Sequence, residues 1–129
     1  MTSSYDAQAA NMRVLGVDPG ATTGLSLIVN DEIVNEIETR SLLSIWGLLR
    51  IWKPNVIVIE SFLGHRRWPV NVESPTKVIG ICELYAECEG IRLEFSNPSK
   101  LQSKEKPRGL SPHIWSARTH ALLYIERCK

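Results

Sequence analysis

The chain has 129 residues, 43% apolar and 22% charged, with 4 Trp and a formal net charge of +1. That is ordinary globular composition, long enough for one domain with a real core. No apolar run approaches the roughly 20 residues needed to span a bilayer, and a near-neutral total argues neither for nor against nucleic acid.

The distribution of charge says more. Met1–Leu63 holds 4 basic and 7 acidic residues, whereas Gly64–Lys129 holds 11 and 7. The positive excess lies in the second half, much of it in expected loops. The 3 cysteines, Cys82, Cys88 and Cys128, form no C-x-x-C and no Cys/His cluster at zinc spacing. They read as reduced thiols. Met1–Asn11 is small and polar without an apolar core, so residues 1–12 are expected as a disordered tail before a domain at 13–129. No signal peptide is expected, and the protein should be soluble and cytoplasmic.

Arg13–Asp18 is the first expected strand. Pro19-Gly20 stops it, and Thr23–Val29 is the second. Asn30-Asp31 turns the chain into a third strand, Glu32–Thr39, which alternates apolar and acidic residues. Ser41 caps a helix that runs to Trp52 and is apolar over more than half its circumference, enough to pack on the sheet and on another element or subunit. Asn55–Glu60 (NVIVIE) is a continuous β-branched run. It suits a central strand buried on both faces, parallel to a neighbour. A long loop, Ser61–Glu73, follows. Ser74-Pro75 carries the N-cap/N1 signature of a second helix, ending at Gly90. Ile91–Phe95 is the fifth strand. A basic loop, Ser99–Leu110, leads to Ser111-Pro112 and a third helix over about His113–Arg127. This order predicts an α/β fold: a mixed five-stranded sheet, a three-strand antiparallel meander followed by αβαβα, with helices on its faces.

Two acids stand at equivalent places in that order. Asp18 ends the first strand and Glu60 ends the fourth. An Asp beside a Pro-Gly turn can cap its own turn. If the two strands are neighbours, however, the carboxylates face each other, and a hard divalent cation relieves their repulsion.

GVDPGATTGLSLI, VIVIESF, SPTKVIGICELYAE and PHIWSARTHALLY together resemble the RuvC-type Holliday junction resolvases of the ribonuclease-H-like nuclease superfamily, most closely the short bacteriophage versions. The resemblance covers nearly all of the chain after the tail. It implies a ribonuclease-H-like fold and a Mg²⁺-dependent endonuclease, with Mn²⁺ as a substitute. Two ions would serve phosphodiester hydrolysis. The implied setting is a homodimer acting on branched DNA, four-way junctions above all, in a bacterial or phage-infected cell. Asp18 and Glu60 would match two of the family's metal ligands. The family usually carries two more at the start of the last helix, where this chain has His113 and Ser116. His113 can ligate a metal or move a proton; Ser116 is a poor ligand. His120, one turn further along the same face, is a further catalytic candidate. The missing acid keeps a second possibility open, a catalytically weak or inactive nucleic-acid-binding module of the same fold. A third, a nucleotide phosphotransferase suggested by D-P-G-A-T-T-G, needs two such domains and this chain holds one.

DNA-facing candidates follow from position. Phe62, His65, Arg66, Arg67 and Trp68 lie in the loop after Glu60, where Arg suits phosphate and an aromatic suits unpaired bases. Lys100, Lys104, Lys106 and Arg108 make the basic loop. Thr22 and Thr23 sit in the hairpin, to contact a phosphate or to satisfy the turn. Lys77 is placed against the helix dipole, which hints at a phosphate. Gly20 and Gly24 are expected to let a DNA backbone approach the metal.

Overall fold

The computed structural model describes residues 12–61, 72–97 and 106–129. Within them the elements are β1 (Arg13–Asp18), β2 (Thr23–Val29), β3 (Glu32–Thr39), α1 (Leu42–Trp52), β4 (Val56–Glu60), α2 (Glu73–Glu89), β5 (Arg92–Ser96) and α3 (Pro112–Arg127). Their order is the expected one. The sheet order is β3-β2-β1-β4-β5. β1, β2 and β3 pair antiparallel, while β4 runs parallel to β1 and β5 parallel to β4.

The local chemistry accounts for these elements. Asn30 and Asp31 both take positive φ, 53° and 69°, as a tight hairpin turn demands. Ser41 Oγ accepts from Ser44 N at 3.1 Å and so caps α1. β4 begins at Val56 and β5 ends at Ser96, each one residue later than expected, and two further boundaries shift for a local reason. α2 begins at Glu73, with Val72 at its N-cap and no side-chain cap. Ser74 is therefore inside the helix, and Pro75 sits in the first turn, where a missing N–H costs nothing. The N–H and hydroxyl of Thr76 both donate to Val72 O, which sets the earlier start. β5 begins at Arg92 because Ile91 N donates to Ala86 O and belongs to the helix cap around Gly90.

Strand alternation divides the core into two layers. Leu15, Val17, Leu25, Leu27, Ile57 and Ile59 pack against Ile45, Leu49 and Trp52 of α1 and Val78, Cys82 and Tyr85 of α2. Val14, Ile28, Val56 and Val58 point the other way, onto Ala121 and Tyr124 of α3. Burying each large aliphatic side chain stabilises the fold by about 1.5–3 kcal/mol. The sheet is thus sandwiched, with α3 the helix on the face that carries the strand-end acids. Among the described residues no helix is long and apolar enough to cross a membrane.

Candidate active site

The site is built by register. Val17 pairs with Ile59, and Glu60 with Ser96, across three parallel strands. Asp18 and Glu60 follow the Val17–Ile59 pair, so they are neighbours at the carboxyl ends of β1 and β4. The alternation that points Val14 and Val58 at α3 points Asp18, Glu60 and Ser96 the same way. The three form a row across the sheet, under the first turns of the helix.

Two glycines let α3 come close. A Cβ on Gly16 would lie 1.9 Å from the Ala117 carbonyl oxygen, and one on Gly24 would lie 2.2 Å from that of His113. The helix backbone rests directly on β1 and β2 at these points. Gly24 therefore makes room for α3, which corrects the expectation that it makes room for DNA. Ser111 Oγ accepts from His113 N and Ile114 N at 3.1 and 3.3 Å, and Pro112 follows it in the first turn, so the helix starts where it must.

His113 then stands over Asp18, its Nδ1 3.3 Å from Oδ2. Its side chain is 43% exposed, at the mouth of the site. One turn on, Ser116 Oγ donates to Glu60 Oε2 at 2.8 Å. His120 is fully buried and lies behind Glu60, with Nε2 3.9 Å from Oε1. It faces the acid from within the protein and not from the open side where a substrate would approach. Burial, reinforced by the neighbouring Glu60 carboxylate, pushes Asp18 up to about 9. Burial would also raise Glu60, but His120, Asp18 and Ser116 facing it outweigh that and pull it down to about 2. Two carboxylates this close titrate as a pair, and burial opposes charging both.

Two partly buried carboxylates side by side are hard oxygen donors suited to a divalent cation, which would relieve their repulsion. Among the described residues no group of three or more His, Cys, Asp or Glu forms a ready-made metal cage. A Mg²⁺-type ion needs none: it binds through one or two carboxylates and keeps waters or substrate phosphates as its other ligands.

The other expected residues are distributed as follows. Thr23 is 1% exposed, and its hydroxyl donates to Gly20 O and faces Gly20 N within the turn. It satisfies the hairpin, the second of the two roles expected for it. Thr22 is half-buried beside it. Lys77 pairs with Glu73 at 2.8 Å, one turn back, which explains its position without a phosphate. Lys106 and Arg108 are exposed just before α3, and Lys106 Nζ donates to Leu110 O. Phe62, His65, Arg66, Arg67, Trp68, Lys100 and Lys104 lie outside the described residues, as does the tail up to Asn11.

One supporting contact was not foreseen. Arg118 of α3 reaches Glu36 of β3 with two hydrogen bonds, at 2.7 and 2.5 Å, and Ser26 Oγ donates to the same carboxylate at 2.8 Å. The fork-to-fork pair fixes α3 about its axis and with it His113 and Ser116. The only sequence signal was an acid, Glu36, on an alternating strand.

No protein-family model matches the chain, and no curated protein matches it in sequence. Solved structures do. A Thermus thermophilus RuvC structure superposes with a TM-score of 0.71 at 15% identity, over 91% of this chain and 96% of the other. T. thermophilus RuvC in complex with a Holliday junction substrate gives 0.65 at 16% identity, again over 91% and 96%. With this sheet order, these helices and that superposition, the chain has the ribonuclease-H-like fold of RuvC along nearly its whole length.

Proposed function

We propose that this chain is a divalent-metal-dependent endonuclease that cuts branched DNA, four-way junctions above all. The observation that carries the proposal is the Asp18–Glu60 pair, two partly buried carboxylates at adjacent parallel strand ends, with His113 at the open side. In this reading Asp18 and Glu60 hold the ion. When bound, it lowers the pKa of a water and neutralises charge on the phosphodiester. His113 orients Asp18 through its 3.3 Å contact and, being the exposed imidazole, is the group placed to exchange a proton with solvent or substrate. Two carboxylates carry the charge for one ion; the second ion that the resemblance implies would take its remaining ligands from the DNA phosphate. Lys106 and Arg108, exposed ahead of α3, are placed to attract the backbone. Leu43 and Ile51 of α1 and Leu84 of α2, 79%, 74% and 53% exposed, are the apolar surface on offer for a homodimer.

The Ser116–Glu60 hydrogen bond favours a second reading, a module that binds junctions without cutting them, since position 116 offers a hydroxyl in place of an acid. Cleavage of a labelled four-way junction separates the two. Nicking that needs Mg²⁺ or Mn²⁺, stops with chelator and is lost in Asp18→Asn and Glu60→Gln supports the nuclease. Intact junctions under every ion, with binding retained, support the module.

A further inference from the structure

His120 is on the wrong side of Glu60 to meet substrate, and its environment assigns it another task. The imidazole is fully buried. Nδ1 lies 2.5 Å from Ser96 Oγ, at the end of β5. Nε2 faces Glu60 Oε1 at 3.9 Å, and among the described residues it is the one buried side-chain nitrogen or oxygen that lacks a hydrogen-bond partner. Native proteins avoid such orphans, and those that persist usually have a reason in the function of the site.

The geometry selects a tautomer. With the proton on Nδ1, a bare Nε2 lone pair would confront the Glu60 carboxylate. With the proton on Nε2, an N–H faces the carboxylate and Nδ1 accepts from the Ser96 hydroxyl. We propose that Ser96 and His120 form a buried positioning relay for Glu60. The Ser96 hydroxyl donates to Nδ1 and thereby keeps the proton on Nε2. The Nε2–H aims at Oε1 while Ser116 donates to Oε2 from the other side at 2.8 Å. The carboxylate is hydrogen-bonded at Oε2 and faced by an N–H at Oε1. At 3.9 Å the Nε2–Oε1 contact is longer than a hydrogen bond. A turn of the carboxylate would close it, and an ion held by Glu60 would then be met by a carboxylate fixed from behind. His120 and Ser96 are positioning residues: neither touches the reacting atoms, and they couple the end of β5 to the acid on β4. This rests on the reading of Glu60 as an ion ligand.

The test uses two readouts on the full chain. Imidazole ¹⁵N spectra of the wild type should give His120 with Nε2 protonated and Nδ1 bare, and Ser96→Ala should mix the tautomers. Mn²⁺ affinity by titration calorimetry should weaken about tenfold or more in Ser96→Ala and in His120→Phe, which fills the space without the nitrogens, in line with losses at outer-shell partners. His120→Gln, which restores a donor near Nε2, should recover much of it. A wild-type His120 protonated on Nδ1 overturns the relay, and so does Mn²⁺ affinity unchanged in both Ser96→Ala and His120→Phe. Wild-type protein that binds no Mn²⁺, yet carries the Nε2 proton, overturns the ion-site reading and supports the tautomer. Because the spectrum needs no variant, misfolding of the buried substitutions does not remove the test.

Discussion

Gly16 and Gly24 seat α3 on the sheet, and replacing either with alanine should unseat it. The added Cβ would stand 1.9 Å from Ala117 O at Gly16 and 2.2 Å from His113 O at Gly24, where ordinary contact begins at 3.4 Å. The helix would have to retreat by about 1.5 Å at the first position and about 1.2 Å at the second. Both obstacles are backbone, so no side chain can swing away. Overpacking of a core costs about 1–3 kcal/mol, and these rigid contacts belong at the upper end. For Gly24→Ala the displaced carbonyl is that of His113 itself, so its 3.3 Å contact with Asp18 should open as well. Urea unfolding measures the first effect: the midpoint should fall by about 1–2 M at an unchanged slope. Gly80→Ala is the matched control. A Cβ there meets nothing within 4 Å, in a helix interior, and the variant should gain about 0.5–1 kcal/mol. If Gly24→Ala unfolds within about 0.5 kcal/mol of wild type, the close seating of α3 is refuted.

Three further outcomes follow from the site and its supports. Ser116→Asp loses a hydrogen bond to Glu60 and adds a like charge, so the ion-free protein should lose about 1–2 kcal/mol. Its Mn²⁺ affinity should rise about tenfold, because ligand charge tunes such sites; unchanged affinity by calorimetry would place residue 116 away from the ion. Burial would raise Glu36, but Arg118 and Ser26 outweigh it and hold it below its usual value of 4.5. The stability this group supplies is therefore full above 4.5 and fades as pH falls through its lower folded value. Glu36→Gln should cost about 2 kcal/mol at neutral pH. The gap should narrow in acid, and a gap of the same size at pH 3 would acquit the ion pair. Asp18 shifts the other way. Its folded value near 9 means that the folded state keeps a proton the unfolded chain releases above 3.8, so ion-free stability declines as pH climbs between them. Asp18→Asn should flatten that decline and be the more stable protein at pH 8 in chelator. Mn²⁺ at 100 times its Kd should stabilise the wild type by about 2.7 kcal/mol and leave the variant unmoved. A variant that gains as much from Mn²⁺ would move the ion elsewhere.

The strand framework is legible in the sequence because each strand carries its own local signal. Pro19-Gly20 and Asn30-Asp31 punctuate the meander, and the unbroken Val56–Ile59 run marks a strand covered on both faces. Asp18 and Glu60 are legible as a pair for the same reason, since both close such strands. Helix boundaries are less so. Ser74-Pro75 carries a start signal that Thr76 overrides by bonding back to Val72. What depends on tertiary approach is not legible at all. Gly24 looks like a turn glycine until α3 is laid on it, Glu36 looks like a solvated strand acid until Arg118 reaches it, and His120 is indistinguishable from an exposed ligand until its burial is known. Motif resemblance ranks the candidates; packing assigns their tasks.

The central question is whether Asp18 and Glu60 hold a divalent ion. Anomalous diffraction from crystals of the wild-type chain soaked in Mn²⁺ asks that question of the atoms themselves. The predicted result is a peak between the two carboxylates, on the side open to His113, that disappears in Asp18→Asn. Well-ordered carboxylates with no peak between them, or a peak that persists in Asp18→Asn, would contradict it.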